Sequence, residues 1–144
     1  MKNMLLANVA NTTQKNVNVV AIDWSLAAKS PYYYQSAFNT KTVGKMIACV
    51  VNRLKAIGLK PENVDLYGQS LGAHVVGFAG KGIVGPKARF IIGADPAAPG
   101  FQGYPDTEKL AYSDASFVNV IHTNGISNYQ VPVVQGEFSC LIVR

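Results

Sequence analysis

Five residues near the middle of the chain restrict its fold more than any other feature. Gly68-Gln69-Ser70-Leu71-Gly72 fits the pattern G-x-S-x-G. A short strand-like run, 64–67, precedes it, and a helix-like run starts at Ala73. A serine on a sharp strand-to-helix turn is typical of a nucleophile elbow, where a strained backbone exposes the hydroxyl. We expect both Gly68 and Gly72 to be required, because the backbone crowds there. The alternative is a plain tight turn in which Ser70 caps a helix.

Strand-like and helix-like patterns alternate along the rest of the chain. Short β-branched or apolar runs predict four strands, and apolar residues at helical spacing predict two helices. Strands separated by helices form a mostly parallel sheet whose reactive residues follow the carboxyl ends of strands. We therefore predict an α/β fold. The predicted strands are 17–24 (buried), 64–67, 89–94 and 117–123, the helices are 39–57 (capped by Asn39 or Thr40) and 73–79, and 25–38 is loop.

Composition excludes several classes of protein. The 144 residues are 49% hydrophobic and 15% charged, which fits one globular domain and not a disordered chain. The net charge of +5 is spread without a basic run, so we expect a solvated surface and no nucleic-acid partner. We expect no transmembrane segment and no signal peptide in the first ten residues. Cys49 is expected to be a buried free thiol, and whether it pairs with Cys140 is open.

A serine nucleophile requires two partners. An imidazole takes the hydroxyl proton, and a carboxylate fixes the tautomer of that imidazole. In elbow architectures these partners follow the serine in the order acid, then histidine. Asp95 follows the predicted strand 89–94 and precedes Pro96, so it is the first candidate for the acid. It could instead cap the turn before Pro96, and Asp23 is a second candidate.

The chain offers only two imidazoles, His74 and His122. His74 lies four residues after Ser70 on the predicted helix, beneath the nucleophile, so we interpret it as a packed structural residue. His122 has the correct order, after Asp95. Its place inside the strand-like run VNVIHTN favours a buried, hydrogen-bonded strand residue, and a role as the base stays open.

Three segments in order, GQSLGAHVVGFAGK, GADPAAPGFQGYP and SDASFVNVIHTNG, resemble the animal pancreatic-type lipase family. This family includes pancreatic and lipoprotein lipases, insect lipases and wasp-venom phospholipases A1. The resemblance implies an α/β-hydrolase fold and hydrolysis of carboxylic esters of lipids. It places the nucleophile at Ser70, the acid at Asp95 and one oxyanion-hole donor at the Leu71 N–H.

The chain departs from that family in several places. Gln69 stands where the family usually has histidine. The family's histidine in the strand corresponding to 117–123 is not catalytic, which argues against His122 as the base. The family's catalytic histidine lies downstream of the position of Arg144, and its second oxyanion donor lies upstream of Val17. We therefore expect residues 1–144 to be a single partial α/β-hydrolase domain, incomplete at both ends.

Vertebrate members of the family hold calcium after the triad acid. The corresponding stretch here is 104–114, in which Asp106 and Asp114 have carboxylates and Lys109 a carbonyl oxygen. A further family carboxylate corresponds to Ala111. Because calcium takes six to eight oxygen ligands, this loss favours a solvated acidic loop, and we expect no metal.

The resemblance implies a lipase-type serine hydrolase, either a triacylglycerol lipase or a phospholipase A1, that works through an acyl-enzyme. It implies a lipid ester substrate at a membrane or lipid-droplet interface, no cofactor and a secreted protein. As given, the chain is expected to be inactive. The alternatives are a non-catalytic lipid-binding or storage protein on the same fold and an unrelated esterase or thioesterase.

Overall fold

A three-stranded parallel sheet forms the centre of the molecule. The computed structural model describes residues 18–29 and 31–123. The strands β1 (Asp65–Gln69), β2 (Phe90–Ala94) and β3 (Phe117–Ile121) lie side by side in the order β1-β2-β3. Each strand pairs with its neighbour over its full length and without offset, so all three end at the same edge of the sheet.

Helices cover the sheet and join β1 to β2. The helix α1 (Ser25–Ala28) is short, α2 (Tyr33–Lys55) is the longest, and α3 (Leu71–Gly82) crosses from β1 to β2. The connection from β2 to β3 contains only short 3-10 helices, Asp106–Glu108 and Tyr112–Asp114, and a third 3-10 helix, Pro61–Asn63, precedes β1. The predicted parallel α/β architecture is therefore confirmed, although no α-helix separates β2 from β3.

The core lies between α3, the sheet and the second half of α2. Helix α3 is buried along most of its length because both α2 and the sheet pack against it. Ile91 in the central strand is fully buried. Gly44 lies where α2 and α3 approach most closely, since a Cβ atom there would be 2.5 Å from Phe78 Cβ. The core cluster consists of Ala48, Val51, Val76, Ile83, Ala88, Ile91 and Ala115.

The N-terminal part differs most from the prediction. Residues 18–24 form no strand and are mostly exposed, because no described strand supplies them with a ladder of backbone hydrogen bonds. Val17 lies outside the described residues. The predicted loop 25–38 is wrong as well: it contains α1 and the first turns of α2, which begins six residues before Asn39. Asn39 does not cap this helix; its side-chain amide donates to the Ala27 carbonyl at 2.8 Å and so ties α1 to α2.

The apolar stripe of α2 is only partly buried. Val43 and Val51 belong to the core, whereas Met46 and Val50 are more than half exposed. Cys49 is also exposed, so the predicted burial of its thiol is wrong. The helix contacts its neighbours along one narrow face, and the stripe is wider than that face.

No helix within the described part of the chain is both long and apolar enough to cross a bilayer. The first ten residues, in which no signal peptide is expected, and Cys140 lie outside the described residues.

Candidate active site

Three residues of interest follow the ends of the three strands. The last residues of β1, β2 and β3 pair with one another in register: Gln69 with Ala94, and Ala94 with Ile121. The residues that directly follow β1, β2 and β3 are Ser70, Asp95 and His122, respectively. The structure therefore brings the predicted nucleophile, the predicted acid and the second histidine to one edge of the sheet.

Ser70 lies on the turn between β1 and α3 with a left-handed backbone, φ 53° and ψ −122°. Its N–H donates to the Ala94 carbonyl at 2.9 Å, which fixes the turn to the neighbouring strand. The residue is exposed. Leu71 is the first residue of α3, and the first N–H groups of a helix have no acceptor within it. These amides and the helix dipole favour negative charge beside Ser70.

The two glycines of the turn are not equivalent. A Cβ atom on Gly68 would lie 2.0 Å from the Gly72 carbonyl oxygen and 2.7 Å from the Ala73 nitrogen. Only glycine fits there. A Cβ atom on Gly72 would meet none of the atoms that the structure describes within 4 Å. The prediction that both positions must lack a side chain is therefore right for Gly68 and wrong for Gly72, because the Cβ of Gly72 would point into open space.

Asp95 has the second strained backbone. Its φ is 46°, and within the described ranges Ser70 and Asp95 are the two non-glycine residues with positive φ. The Asp95 N–H donates to the Ile121 carbonyl at 2.6 Å, and the Thr123 N–H donates to Asp95 Oδ1 at 3.3 Å. Such conformations cost about 1–3 kcal/mol each and cluster at functional sites. The strain in both residues supports the assignment of Ser70 and Asp95 to one functional site.

Asp23, the second candidate for the acid, has a local role. It lies in the exposed segment before α1, and its Oδ1 accepts the Ser25 N–H at 2.9 Å. This hydrogen bond lowers the pKa of the Asp23 carboxyl below its usual value. The contact is an Asx turn, in which the side chain bonds the backbone two residues further on.

His122 is neither buried nor in a strand, so that expectation is wrong. Strand β3 ends at Ile121, and His122 is exposed at the edge of the sheet. The strand order places Asp95 between Ser70 and His122. In a triad the imidazole lies between hydroxyl and carboxylate. With strands about 4.8 Å apart, His122 starts roughly 10 Å from the Ser70 position, beyond the acid.

His74 is a structural residue, as predicted from its place on the helix. It is 4% exposed and stacks on Phe101, with the ring centroids 3.5 Å apart. Its Nδ1 accepts the Leu110 N–H at 3.1 Å, so Nε2 carries the proton and donates to the Ala97 carbonyl at 2.9 Å. Burial lowers the pKa of His74 to about 4. The neutral ring thus joins the helix after Ser70 to the segment after Asp95.

A cleft of about 370 Å³ lies beside the turn that carries Ser70. Its walls include Trp24, Tyr67, Leu71 and Val75. Apolar and aromatic walls with a few polar groups are typical of small-molecule sites. The cleft therefore places apolar side chains next to the serine.

The stretch that corresponds to the family's calcium site has a different arrangement. Lys81 Nζ lies 2.5 Å from Asp114 Oδ1 and 2.7 Å from the Lys109 carbonyl oxygen. Asp106 is exposed and pairs with the Lys109 ammonium at 3.8 Å. Two of the oxygens that calcium would need are thus bound to an ammonium group, and the side chain of Ala111 has no oxygen. This set of donors does not fit calcium. In the described segments no three carboxylate, thiol or imidazole side chains form a metal cluster.

Sequence reasoning missed two groups here. It counted Lys81 only as one of the scattered surface charges, and it did not find that His74 anchors the segment after Asp95. The signal for Lys81 was its position four residues after Gly77. Gly77 and Gly80 have no side chains, so another segment can pack closely against that part of the helix. For His74, the only hint was its place four residues after Ser70.

Comparison with known proteins gives the class and then the family. The parallel sheet with a serine elbow after β1 is that of an α/β-hydrolase fold. The family model described as Lipase matches residues 2–135. The chain belongs to the Lipase family.

The similar curated proteins are longer than this chain. Pancreatic lipase-related protein 2 of Rattus norvegicus is 48% identical over 111 residues, which cover 76% of this chain and 23% of that protein. Pancreatic triacylglycerol lipase of Homo sapiens is 44% identical over 123 residues, 83% of this chain and 26% of the relative. Phospholipase A1 of Vespula maculifrons is 40% identical over 140 residues, which cover 89% of this chain and 46% of that protein. The chain spans about a quarter of its vertebrate relatives and less than half of the wasp enzyme.

Proposed function

We propose that this chain carries the nucleophile and the acid of a serine hydrolase that cleaves carboxylic esters of lipids. The observation that carries the proposal is the left-handed backbone of Ser70 at the start of α3. An exposed serine hydroxyl on a strained turn, beside unpaired helix amides, is arranged for attack on a carbonyl and has no evident use in stability.

Each residue has a definite role in the proposed reaction. Ser70 Oγ attacks the ester carbonyl carbon while a base takes its proton, and the Leu71 N–H donates to the oxyanion. The base returns the proton to the leaving alcohol as an acyl-enzyme forms, and water then releases the acid and regenerates Ser70. Asp95 orients the base. Gly68 permits the turn, and Gly72 lies in the first turn of the helix behind it.

The base is the open part of the proposal. The chain has two histidines, and both ring nitrogens of His74 are already bound to backbone groups. The base is therefore either His122 or a group beyond these 144 residues. The sheet order, with Asp95 between Ser70 and His122, favours the second source.

A second function fits the same observation about the base. A chain that keeps the elbow but positions no imidazole at Ser70 would bind lipid without cleaving it. The apolar cleft beside Ser70 supports such a lipid-binding or storage role as well as catalysis. The two functions differ in whether Ser70 reacts.

The names of the relatives suggest the substrate class, and the resemblance to the pancreatic-type lipase family suggests a secreted protein. They include a triacylglycerol lipase and a phospholipase A1. We infer a neutral lipid or phospholipid ester at a membrane or lipid-droplet surface, and an extracellular site of action. Hydrolysis of tributyrin against phosphatidylcholine vesicles distinguishes the two substrate classes.

A fluorophosphonate probe tests the nucleophile directly. We expect the probe to modify Ser70 in the longest natural chain that contains these residues, as identified by mass spectrometry of the tryptic peptide. Ser70→Ala abolishes the modification, whereas Ser113→Ala, at another exposed serine, leaves it unchanged. Modification of a different serine contradicts the assignment, and no modification at all favours the lipid-binding alternative.

The acid is tested by a matched pair of variants. In the longest natural chain that contains these residues, Asp95→Asn should lower ester turnover by about 10⁴ while the fold persists, because the imidazole loses the group that fixes its tautomer. Asp23→Asn should leave turnover unchanged, since the Asp23 carboxylate accepts hydrogen bonds from the backbone and the side chain of Ser25, two residues away. The reverse result would exchange their roles.

A further inference from the structure

The Lys81 ammonium group lies between two oxygens of the segment that joins β2 to β3. It donates to Asp114 Oδ1 at 2.5 Å and to the Lys109 carbonyl at 2.7 Å. The Asp114 side chain is 1% exposed, and its other oxygen accepts the Ala111 N–H at 2.8 Å. A carboxylate this deeply buried needs a positive partner. Lys81 is that partner.

Two glycines of α3 near Lys81 allow this segment to pack closely against the helix. Gly77 lies three residues before Gly80 and four before Lys81, so it neighbours both of them on the helix surface. A Cβ atom on Gly80 would lie 2.3 Å from the Asp114 carbonyl oxygen, and one on Gly77 would lie 3.0 Å from Asp114 Oδ2. The segment therefore rests directly on the helix backbone, and the lysine stem reaches across Phe78, with Nζ 5.9 Å from the ring centroid.

The oxygens around Lys81 Nζ are those that a divalent cation would use. Calcium binds six to eight oxygens, and two oxygens of the stretch that corresponds to the family's calcium site, Asp114 Oδ1 and the Lys109 carbonyl, are bound to Lys81 Nζ instead. A second cation there would meet the ammonium charge at close range. The ammonium and the metal therefore exclude each other.

We propose that Lys81 is a built-in replacement for a divalent cation. Its ammonium group holds the 104–114 segment against α3 and makes the folding of that segment independent of calcium. This inference does not rest on the proposed function, because it concerns the folding of a segment away from Ser70.

Thermal unfolding of the full chain, in millimolar calcium or in EDTA, tests the proposal. The wild-type Tm should be the same in both. Lys81→Met keeps the apolar stem, leaves Asp114 without its counter-charge, and should lower Tm by roughly 10 °C. Lys41→Met is the matched control: it breaks the half-exposed pair with Glu108 and should lower Tm by less than about 3 °C.

A double variant tests whether calcium can bind at the position of the Lys81 ammonium group. Lys81→Ala with Ala111→Asp removes the ammonium and restores a carboxylate. We expect calcium to raise its Tm and EDTA to reverse the rise, with terbium luminescence reporting the bound ion. A calcium-dependent Tm in the wild type, an unchanged Tm in Lys81→Met, or a double variant indifferent to calcium would each overturn the proposal.

Discussion

At the scale of single residues, His74 is the group whose ionisation depends most on the fold. Its pKa falls from 6.5 to about 4, first because of burial. The unfolded chain then binds more protons than the folded one between these pH values. The contribution of the neutral His74 to the free energy of unfolding is therefore fully present above pH 6.5 and is lost as the pH falls towards 4. We expect a loss of roughly 3 kcal/mol across this window, measured by urea unfolding at several pH values.

The two histidines provide the control for this prediction. His122 is exposed, so His122→Gln should keep the full pH dependence. His74→Gln removes the titrating ring and should flatten the curve between pH 6.5 and 4, even if the variant is less stable at neutral pH. An unchanged slope in His74→Gln would assign the effect to other groups.

The two glycines of the elbow should respond in opposite ways to the same added methyl group. Gly68→Ala places Cβ 2.0 Å from the Gly72 carbonyl oxygen, so the turn must move. We expect a loss of at least about 3 kcal/mol in the free energy of unfolding. Gly72→Ala meets open space and should change it by less than about 1 kcal/mol, in the stabilising direction. Equal losses in urea melts would contradict the geometry.

At the scale of elements, the contact between α2 and α3 depends on Gly44. A Cβ atom there would lie 2.5 Å from Phe78 Cβ and 2.6 Å from the Val75 carbonyl oxygen. Gly44→Ala should therefore cost about 1–3 kcal/mol of overpacking, more than the gain of about 1 kcal/mol in helix propensity. Thr42→Ala, at an exposed position of the same helix, serves as the control in the same unfolding experiment. A more stable Gly44→Ala would rule out the tight contact.

The elements that the sequence predicted well are those with a local pattern. The elbow, β1 and α3 follow from two glycines and a change of apolar period within about 20 residues. Residues 18–38 were predicted wrongly for a physical reason: a β-branched run becomes a strand only when a neighbouring strand accepts its hydrogen bonds. Likewise, α2 begins six residues before Asn39, and the amide of Asn39 bonds α1 instead of capping the helix.

The same distinction holds within the candidate site. The positions of Ser70 and Asp95 at the ends of neighbouring strands were predictable, since a motif and a strand end mark them. The contacts of His74 join residues 23 and 36 positions apart, and that of Lys81 with Asp114 joins residues 33 apart. Hydrogen bonds over such separations leave no periodic trace in a sequence. These contacts depend on how the segment between β2 and β3 packs on α3, which the sequence pattern does not predict.

At the scale of the whole molecule, we expect these 144 residues alone to show little or no ester hydrolysis. A serine without a positioned base stays protonated near neutral pH, and loss of the base costs several powers of ten in turnover. The measurement is a nitrophenyl ester assay, with Ser70→Ala and His122→Ala beside the wild type. Robust turnover that vanishes in both variants would make His122 the base and contradict this prediction.

The left-handed backbones of Ser70 and Asp95 set stability against activity in this protein. Each position would fold more easily as glycine, whose backbone has no penalty there. A laboratory selection for heat resistance alone would therefore favour glycine at the two positions proposed for the chemistry. Stabilised variants of this fold are best sought with both positions held fixed, or the selection will discard the reaction while it improves the scaffold.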